Sequence, residues 1–382
     1  MRIALMPSAF HPAVGGVEEL SRRLAGELRA SGHSIEVWTS RRDDDDWPER
    51  DEVDGIPVRR FTFPAPRAAV GALARWPFRA VEQLLALRGA VHDFKPDVLH
   101  VQCFSTNGAY AAALSRTCGV PLVVTLQGET VMDDRDIYDQ SAFLRRSIRA
   151  GFRRASAVTG CSQFTLDDAI RRFGLDAAKS SVVFNGVSLD ETDQRAVTLP
   201  FSRYVAALGR AVPKKGFDLL VRAWATVQAD LPDVGLVIGG GGEAEGSLSR
   251  LVAELGLDDR VHLTGRLDRA QVSWLMANSD VFVMPSRVEP FGIVALEGWR
   301  AGRPIVVSAH GGAPEFVDDG VNGLVVDPFD DVAMGAALRR LLDDVGLRKR
   351  LGTAGKVRVR DFSWDKVAAD YARLYVEVLS GR

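Results

Sequence analysis

Short apolar runs alternate with amphipathic stretches along most of the chain. Residues 2–6 (RIALM) read as a buried strand. Residues 17–31 (VEELSRRLAGELRAS) space their apolar side chains at helical intervals and stop at Gly32, and SIEVWTS then reads as a second strand. The alternation continues through DVLHV (97–101), a small-residue helix near 106–118, PLVVTLQ (121–127), AVTGCS (157–162) and SVVFNG (181–186). A polar stretch, VSLDETDQRAVTLPFS, interrupts it and reads as a linker. It then restarts with YVAALG (204–209), the amphipathic FDLLVRAWATVQAD, VGLVIGG (234–240), VHLTG (261–265), VFVMPS (281–286), PIVVS (304–308) and GLVV (323–326). After Phe362, SWDKVAADYARLYVEVLSG reads as one long amphipathic helix. Strands alternating with helices predict two doubly wound α/β domains, over 1–187 and 203–361. The helix of 362–382 is expected to pack back on the first. Ligands of open parallel sheets sit beyond the carboxyl ends of the strands, so the loops there are where chemistry is sought.

Composition narrows the function classes. The 382 residues are 46% hydrophobic and 26% charged, with a formal net charge of −2, and neither half is strongly basic. A nucleic-acid partner is therefore not expected. The acidic run Asp43–Asp46 reads as a solvated loop. The cysteines, Cys103, Cys118 and Cys161, form no CxxC pair and have no metal-ligand spacing, so no disulfide framework and no metal are expected. The start, MRIALMPSAFHP, lacks the apolar length of a signal peptide, and no run reaches the roughly 20 apolar residues of a membrane span. A cytoplasmic protein is expected, with contact at the inner face of a membrane left open.

Three loops are candidates for holding a phosphate. Gly15-Gly16 precedes the first helix, whose free N–H groups favour an anion. GRAVPKKGFD (209–218) puts Arg210, Lys214 and Lys215 at a helix start, where cations oppose the helix dipole and a bound anion would offset the repulsion. IGGGGEAEG (238–246) reads more simply as a flexible connection. GxGxxG with a following acid, GxxxxGK[ST] and GxSxG are all missing, which counts against a nicotinamide enzyme, a P-loop ATPase and an α/β-hydrolase.

The stretch EPFGIVALE (289–297) brackets an apolar run with two carboxylates. Pro290 suits a first helical turn, with Glu289 near the N-cap. On one helix, Glu289 and Glu297 would lie about 12 Å apart along the axis and about 80° apart around it. Such a face suits an extended, hydroxyl-rich ligand. In this context the chain resembles the retaining glycosyltransferases of the GT-B fold, family 4 type (glycosyl transferases group 1). The likeness runs nearly end to end, through GGVEEL, ASGHSIEVWTS, KPDVLHVQ, NGVS, GRAVPKKGFDLL, PSRVEPFGIVALEGWRAGRPIV, GGAPEFVDDGVNGLVV and FSW.

The resemblance implies two Rossmann-like domains facing across a cleft and a nucleotide-diphosphate sugar donor, UDP- or GDP-linked. It implies retention at the anomeric carbon, with no metal and no cofactor. By position, Arg210 and Lys215 would grip the diphosphate, Gly16 would approach it, and Leu267 would lie against the base. Glu297 would hold the ribose and Glu289 the transferred sugar, while Phe291, Gly292 and Ile293 would supply backbone and apolar contacts. Glu289, Arg210 and Lys215 carry the chemistry in this reading. The donor phosphate itself would help deprotonate the acceptor hydroxyl. Gln127 stands where many relatives have histidine and cannot titrate. Glu129, two residues on, is a second candidate on the acceptor side. Gly298 and Trp299 replace a pair often seen after the second glutamate, with little consequence expected. The acceptor itself is open: a sugar, a lipid-linked sugar or a small molecule. Residues 73–88 and 141–156 mix arginines with aromatic and aliphatic residues, which suits an anionic membrane surface and equally a solvated cationic face. An epimerase or phosphorylase on the same fold, or a silent binding protein, are the competing readings.

Overall fold

Hydrophobic runs bounded by amphipathic helices give two parallel-sheet units in the computed structural model of the chain. It describes all residues except 14, 42–44, 67–69, 133–136, 191–192 and 382, and no side chains over 70–74. Asp43 and Asp44 of the acidic run therefore lie outside the described residues, as do parts of the linker and of the stretch 73–88.

One unit comprises Met1–Asn185 with Trp364–Arg382. Its elements are β1 (Arg2–Pro7), α1 (Gly16–Ala30), β2 (Ser34–Ser40), β3 (Arg50–Val53), β4 (Ile56–Phe61), α2 (Val70–Phe94), β5 (Val98–Gln102) and α3 (Thr106–Cys118). There follow β6 (Leu122–Leu126), α4 (Ile137–Gln140), α5 (Ala142–Arg154), β7 (Ala157–Gly160), α6 (Gln163–Phe173) and β8 (Ser180–Val182). The sheet order is β3-β4-β2-β1-β5-β6-β7-β8, parallel apart from β3. The β3–β4 hairpin is missing from the alternation read off the sequence. Its strands, RDEV and IPVRRF, are too charged to show as apolar runs. The signal was the turn: Asp54 and Gly55 both take positive φ (52° and 74°), as a two-residue Asp-Gly hairpin requires.

The other unit, Gly186–Ser363, holds β9 (Arg203–Leu208), α7 (Phe217–Ala225), β10 (Val234–Gly239), α8 (Glu245–Glu254), β11 (Val261–Gly265) and α9 (Arg269–Asn278). It continues through β12 (Val281–Met284), α10 (Ile293–Arg300), β13 (Ile305–Ser308), β14 (Leu324–Val326), α11 (Asp331–Asp343) and α12 (Val345–Arg358). Its sheet runs β11-β10-β9-β12-β13-β14, all parallel. The last helix, α13 (Trp364–Ser380), packs against α1 of the first unit.

Each sheet reverses its winding once. In the first unit β2 lies on one side of β1 and β5 on the other; in the second β10 and β12 flank β9. These switch points open a crevice at the carboxyl ends of the two strands concerned, where the following loops diverge.

The glycine run after β10 corrects the reading of a flexible connection. Gly240 has φ 125°, and a Cβ there would sit 1.8 Å from the carbonyl oxygen of Gly209. Gly209 donates to Gly239 O and Ala211 to Gly241 O, both at 3.0 Å, so the loops after β9 and β10 are laced together by their backbones. Glycine is required by close approach. Gly240→Ala is expected to cost roughly 3 kcal/mol or more in urea unfolding. Gly26→Ala, inside α1 with no neighbour within 4 Å of the added Cβ, should instead stabilise by up to about 1 kcal/mol. Equal effects at the two sites would refute the packing account.

Candidate active site

The β9–β12 switch point gathers most of the residues expected to bind a donor. After β9, Arg210 is exposed, and a 3-10 turn, Pro213–Lys215, leads to Gly216 in the left-handed region (φ 66°) before α7 begins. A Cβ on Gly216 would lie 2.1 Å from the carbonyl oxygen of Pro285, in the loop after β12. Arg287 N–H donates to Lys214 O at 2.9 Å, and the Arg287 guanidinium grips Asp218 through two 2.6 Å bonds and caps Pro213 O. Burial pushes the Asp218 carboxyl up, but the hydrogen bonds and charge of Arg287 together with backbone N–H groups outweigh it and hold the group below its ordinary range.

Glu289 does not sit on the helix with Glu297. Helix α10 starts at Ile293 with Gly292 as its cap at φ 93°, so Pro290, Phe291 and Gly292 form a turn outside it. Glu289 instead bridges to Gly311 in the loop after β13: its N–H donates to His310 O at 3.2 Å, and its carbonyl accepts from Gly312 at 2.8 Å. Pairing to the next loop has won over helix extension, and the shared-face geometry drawn from the spacing falls. The carboxylate is buried (6% exposed) and accepts from Lys215 Nζ at 2.6 Å and from Ser286 Oγ at 3.0 Å. The charge on Lys215 at this helix start is thus met by a carboxylate of the protein itself. Glu297 lies half-buried on α10, and Leu267, after β11, packs within 2.9 Å of where a Gly239 Cβ would be. Ile293, the first residue of α10, is half-buried.

Phe291 is 2% exposed, with its ring 4.8 Å from that of Phe316. Its ring belongs to the core and is not available to a ligand. Trp299 completes the same cluster: it is fully buried, donates from Nε1 to Asn322 O at 2.8 Å, and meets the Phe316 ring edge-on. A Cβ on Gly355 would fall 2.1 Å from the indole. The Gly298-Trp299 pair is therefore part of the support beneath α10, against the expectation of little consequence.

The first unit carries Gly16, Gln127 and Glu129. Gly16 opens α1, and apart from its chain neighbours and the helix's own backbone no atom of the described residues lies within 4 Å of a Cβ placed there. Gln127 follows β6 and is held on both sides: its Nε2 donates to Gln102 Oε1, and its Oε1 accepts from Asn185 Nδ2, each at 2.9 Å. Behind Gln102 stands His100, whose Nε2 lies 2.7 Å from Thr125 Oγ1 and whose Nδ1 lies 2.6 Å from the Tyr375 hydroxyl on α13. Burial drops the His100 pKa to about 3, so this line of side chains is neutral. Glu129 accepts from the backbone N–H groups of Phe104 at 2.5 Å and Gln127 at 2.7 Å, clamping the carboxyl ends of β5 and β6. Burial raises its pKa to about 7, although its backbone hydrogen bonds pull the other way. Gln102, Asn185 and Ser286 escaped the sequence reading. Each nonetheless lies in a stretch that carried the resemblance: Gln102 in KPDVLHVQ, Asn185 in NGVS and Ser286 in PSRVEPFG.

The stretch 141–156 turns its apolar residues Leu144, Ile148 and Phe152 inward and leaves arginines outside. On α2, by contrast, Phe78, Val81 and Leu85 are exposed. Among the described residues no helix is long and apolar enough to cross a membrane, and no His, Cys, Asp or Glu cluster could hold a metal.

Comparison with known proteins agrees with this architecture. Residues 190–358 match the family Glycosyl transferases group 1, and residues 15–186 match the Glycosyl transferase 4-like domain. A glycogen synthase of Mycobacterium tuberculosis is 29% identical over 402 residues, spanning 100% of this chain and 96% of its own. A GDP-mannose-dependent alpha-(1-6)-phosphatidylinositol monomannoside mannosyltransferase of Mycolicibacterium smegmatis is 35% identical over 255 residues, 62% of this chain and 65% of its own. Sucrose-phosphate synthase from Thermosynechococcus elongatus shares the fold over 100% of both chains, with TM-score 0.81 and 23% identity. The two matches cover both halves, and the chain belongs to the GT-B glycosyltransferases of family 4 type. It is a sugar-transferring enzyme, and these relatives do not favour the epimerase, phosphorylase or silent readings.

Two stability predictions follow from the site's supports. Trp299→Ala should cost about 3–5 kcal/mol in urea unfolding, the range for emptying a large aromatic site; a cost under 1 kcal/mol would show the cluster to be dispensable. Glu129 has a native pKa above its ordinary value, so the folded protein holds a proton that the unfolded chain releases. That contribution is fully present below about pH 4.5 and is lost as pH rises through about 7, by roughly 3 kcal/mol at most. Glu129→Gln should lack this part of the slope when the two proteins are unfolded in urea at pH 5 and pH 8. Identical slopes would place the titration elsewhere.

Proposed function

We propose that the enzyme moves a sugar from a nucleotide-diphosphate sugar, UDP- or GDP-linked, to a hydroxyl acceptor with retention at the anomeric carbon and without a metal. The observation that carries this reading is the pair Lys215–Glu289, 2.6 Å apart at the β9–β12 switch point. The bond that breaks in such a donor joins a hydroxyl-bearing ring to a phosphate. An ammonium beside a carboxylate suits both sides of that junction: the cation for the phosphate oxygens, the carboxylate for the ring hydroxyls. Lys215 has three N–H donors and uses one on Glu289, so it can serve both. The GDP-mannose dependence of the mycobacterial relative supports a nucleotide-linked donor.

In this reading the roles are those the family resemblance implies. Arg210 and Lys215 hold the diphosphate and stabilise the charge that grows on it as the anomeric C–O bond breaks. The acceptor oxygen forms its bond to the same carbon from the same face, and its proton passes to the departing phosphate oxygen. Glu289 binds the transferred sugar, Glu297 the ribose, and Leu267 the base. Phe291, Gly292 and Ile293 contribute backbone groups at the start of α10, and Gly16 offers an open N-terminal turn to the phosphates. Gln127 and Glu129 belong to the acceptor side. With partners on both sides, Gln127 keeps one N–H and one lone pair for a hydroxyl, which both donates and accepts.

Nucleoside diphosphate release from UDP-glucose and GDP-mannose should identify the donor, and it should persist in excess EDTA. Glu289→Gln should mainly lower kcat, and Glu297→Gln should mainly raise the donor KM, each by about 10- to 150-fold for one hydrogen bond to a charged group. Loss in EDTA restored by Mn²⁺, or full activity in both variants, would overturn the assignment.

A further inference from the structure

A polar row crosses the otherwise apolar sheet of the first unit. Register pairs Gln102 of β5 with Thr125 of β6, and Thr125 with Thr159 of β7, while His100 stands two residues before Gln102 on the same face. Leu99, Val101, Val124 and Val158 fill the opposite face with core. Tyr371 and Tyr375 of α13 cover the row. The Tyr375 hydroxyl lies 2.6 Å from His100 Nδ1, and the Tyr371 hydroxyl 3.2 Å from Thr125 Oγ1, with its ring 4.9 Å from that of His100. None of these six side chains is more than 2% exposed.

Stability alone does not ask for such a row. A buried hydrogen-bonded pair adds little net stability, and apolar groups of the same shape in both places serve about as well. The row does, however, end on Gln102, whose Oε1 accepts from Gln127 Nε2 at 2.9 Å. That bond turns Gln102 Nε2 inwards, to 3.2 Å from His100 Nε2. His100 Nε2 also lies 2.7 Å from Thr125 Oγ1, which in turn lies 2.6 Å from Thr159 Oγ1. An amide cannot turn over without exchanging a donor for an acceptor at each bond it makes. Each group therefore restricts its neighbour, from the Tyr375 hydroxyl through His100 and Gln102 to the Gln127 amide. On the other side, Asn185 Nδ2 donates to Gln127 Oε1.

We propose that Tyr375 is a positioning residue for the transfer reaction: through His100 and Gln102 it holds the Gln127 amide in the orientation that presents its remaining N–H and lone pair to the acceptor hydroxyl. The inference rests on the reading of Gln127 as an acceptor-side residue. Tyr375 and His100 are fully buried, so they act through Gln102 and not by touching a ligand. The C-terminal helix thereby becomes part of the acceptor-side machinery, although no residue of it lines a site.

Two measurements on the full chain test this. The first needs no substrate. In protein carrying ¹⁵N-labelled glutamine, the Gln127 side-chain amide signal is identified by its loss in Gln127→Glu. It should shift or broaden in Tyr375→Phe, which removes one oxygen and keeps the ring, and stay in place in Val376→Ala, at an exposed position of the same helix. A signal unmoved by Tyr375→Phe overturns the inference. The second follows hydrolysis of UDP-glucose and GDP-mannose with water as the acceptor. Tyr375→Phe should lower kcat about 2- to 10-fold, the range for one neutral hydrogen bond, and leave the donor KM unchanged. Joined to Gln127→Ala, it should lower kcat no further than Gln127→Ala does alone, because nothing is left to position. Losses that multiply in the double variant would give Tyr375 a structural role only and overturn the inference. Full activity in Gln127→Ala, with the amide signal still responding to Tyr375→Phe, would instead overturn the acceptor-side reading of Gln127, and the positioning role with it.

Discussion

Close backbone approach at the carboxyl ends of β9, β10, β12 and β13 is the constraint on which the candidate site of the second unit depends. The loops leaving these strands touch through carbonyl oxygens, and a side chain at Gly216, Gly240 or Gly311 would collide with Pro285, Gly209 or Glu289. All three glycines also take positive φ, where a Cβ is strained whatever the space. Because the loops cannot separate, Lys215 and Glu289, 74 residues apart in the chain, meet at 2.6 Å. The aromatic cluster of Phe291, Trp299, Phe316 and Phe362 supports the start of α10 from beneath. In the proposed reaction such rigidity would serve the chemistry, since charges that stabilise a departing phosphate act best when they need not rearrange.

The two units solve their electrostatics differently. In the second unit a full ion pair, its carboxylate buried and its ammonium half-buried, is stitched into three loops. In the first unit, the side chains behind Gln127 are neutral hydrogen-bonding groups, with His100 held uncharged by burial between Tyr375 and Thr125. Glutamine at 127 fits such a setting, since it makes directed hydrogen bonds without bringing a proton equilibrium. Glu129, whose pKa burial raises to about 7, spends both oxygens on backbone N–H groups. It acts first as a clamp on two strand ends. The C-terminal helix α13 contributes to this network through Tyr371 and Tyr375, so the last residues of the chain help to shape the surroundings of a loop after its sixth strand.

What the chain determined by itself was the alternation of strands and helices, and with it two parallel sheets. Buried parallel strands must be continuously apolar and their covering helices amphipathic, so both periods are written locally. The cations of GRAVPKKGFD and the acids of EPFGIVALE were legible for a similar reason: charge at the end of an apolar strand is conspicuous. Three matters were decided only by tertiary contact. Glu289 left the helix because its backbone pairs with Gly311, in a loop more than 20 residues away. The glycine run after β10 proved to be a tight crossing, since the carbonyls it must avoid belong to the loop after β9. The hairpin β3–β4 was hidden because its charged strands do not stand out as apolar runs; in the fold β4 is held by pairing with β2. Local pattern records which face of an element is buried. It does not record which distant backbone atom will stand against that face, and there the collisions, hydrogen bonds and ion pairs of this protein were settled.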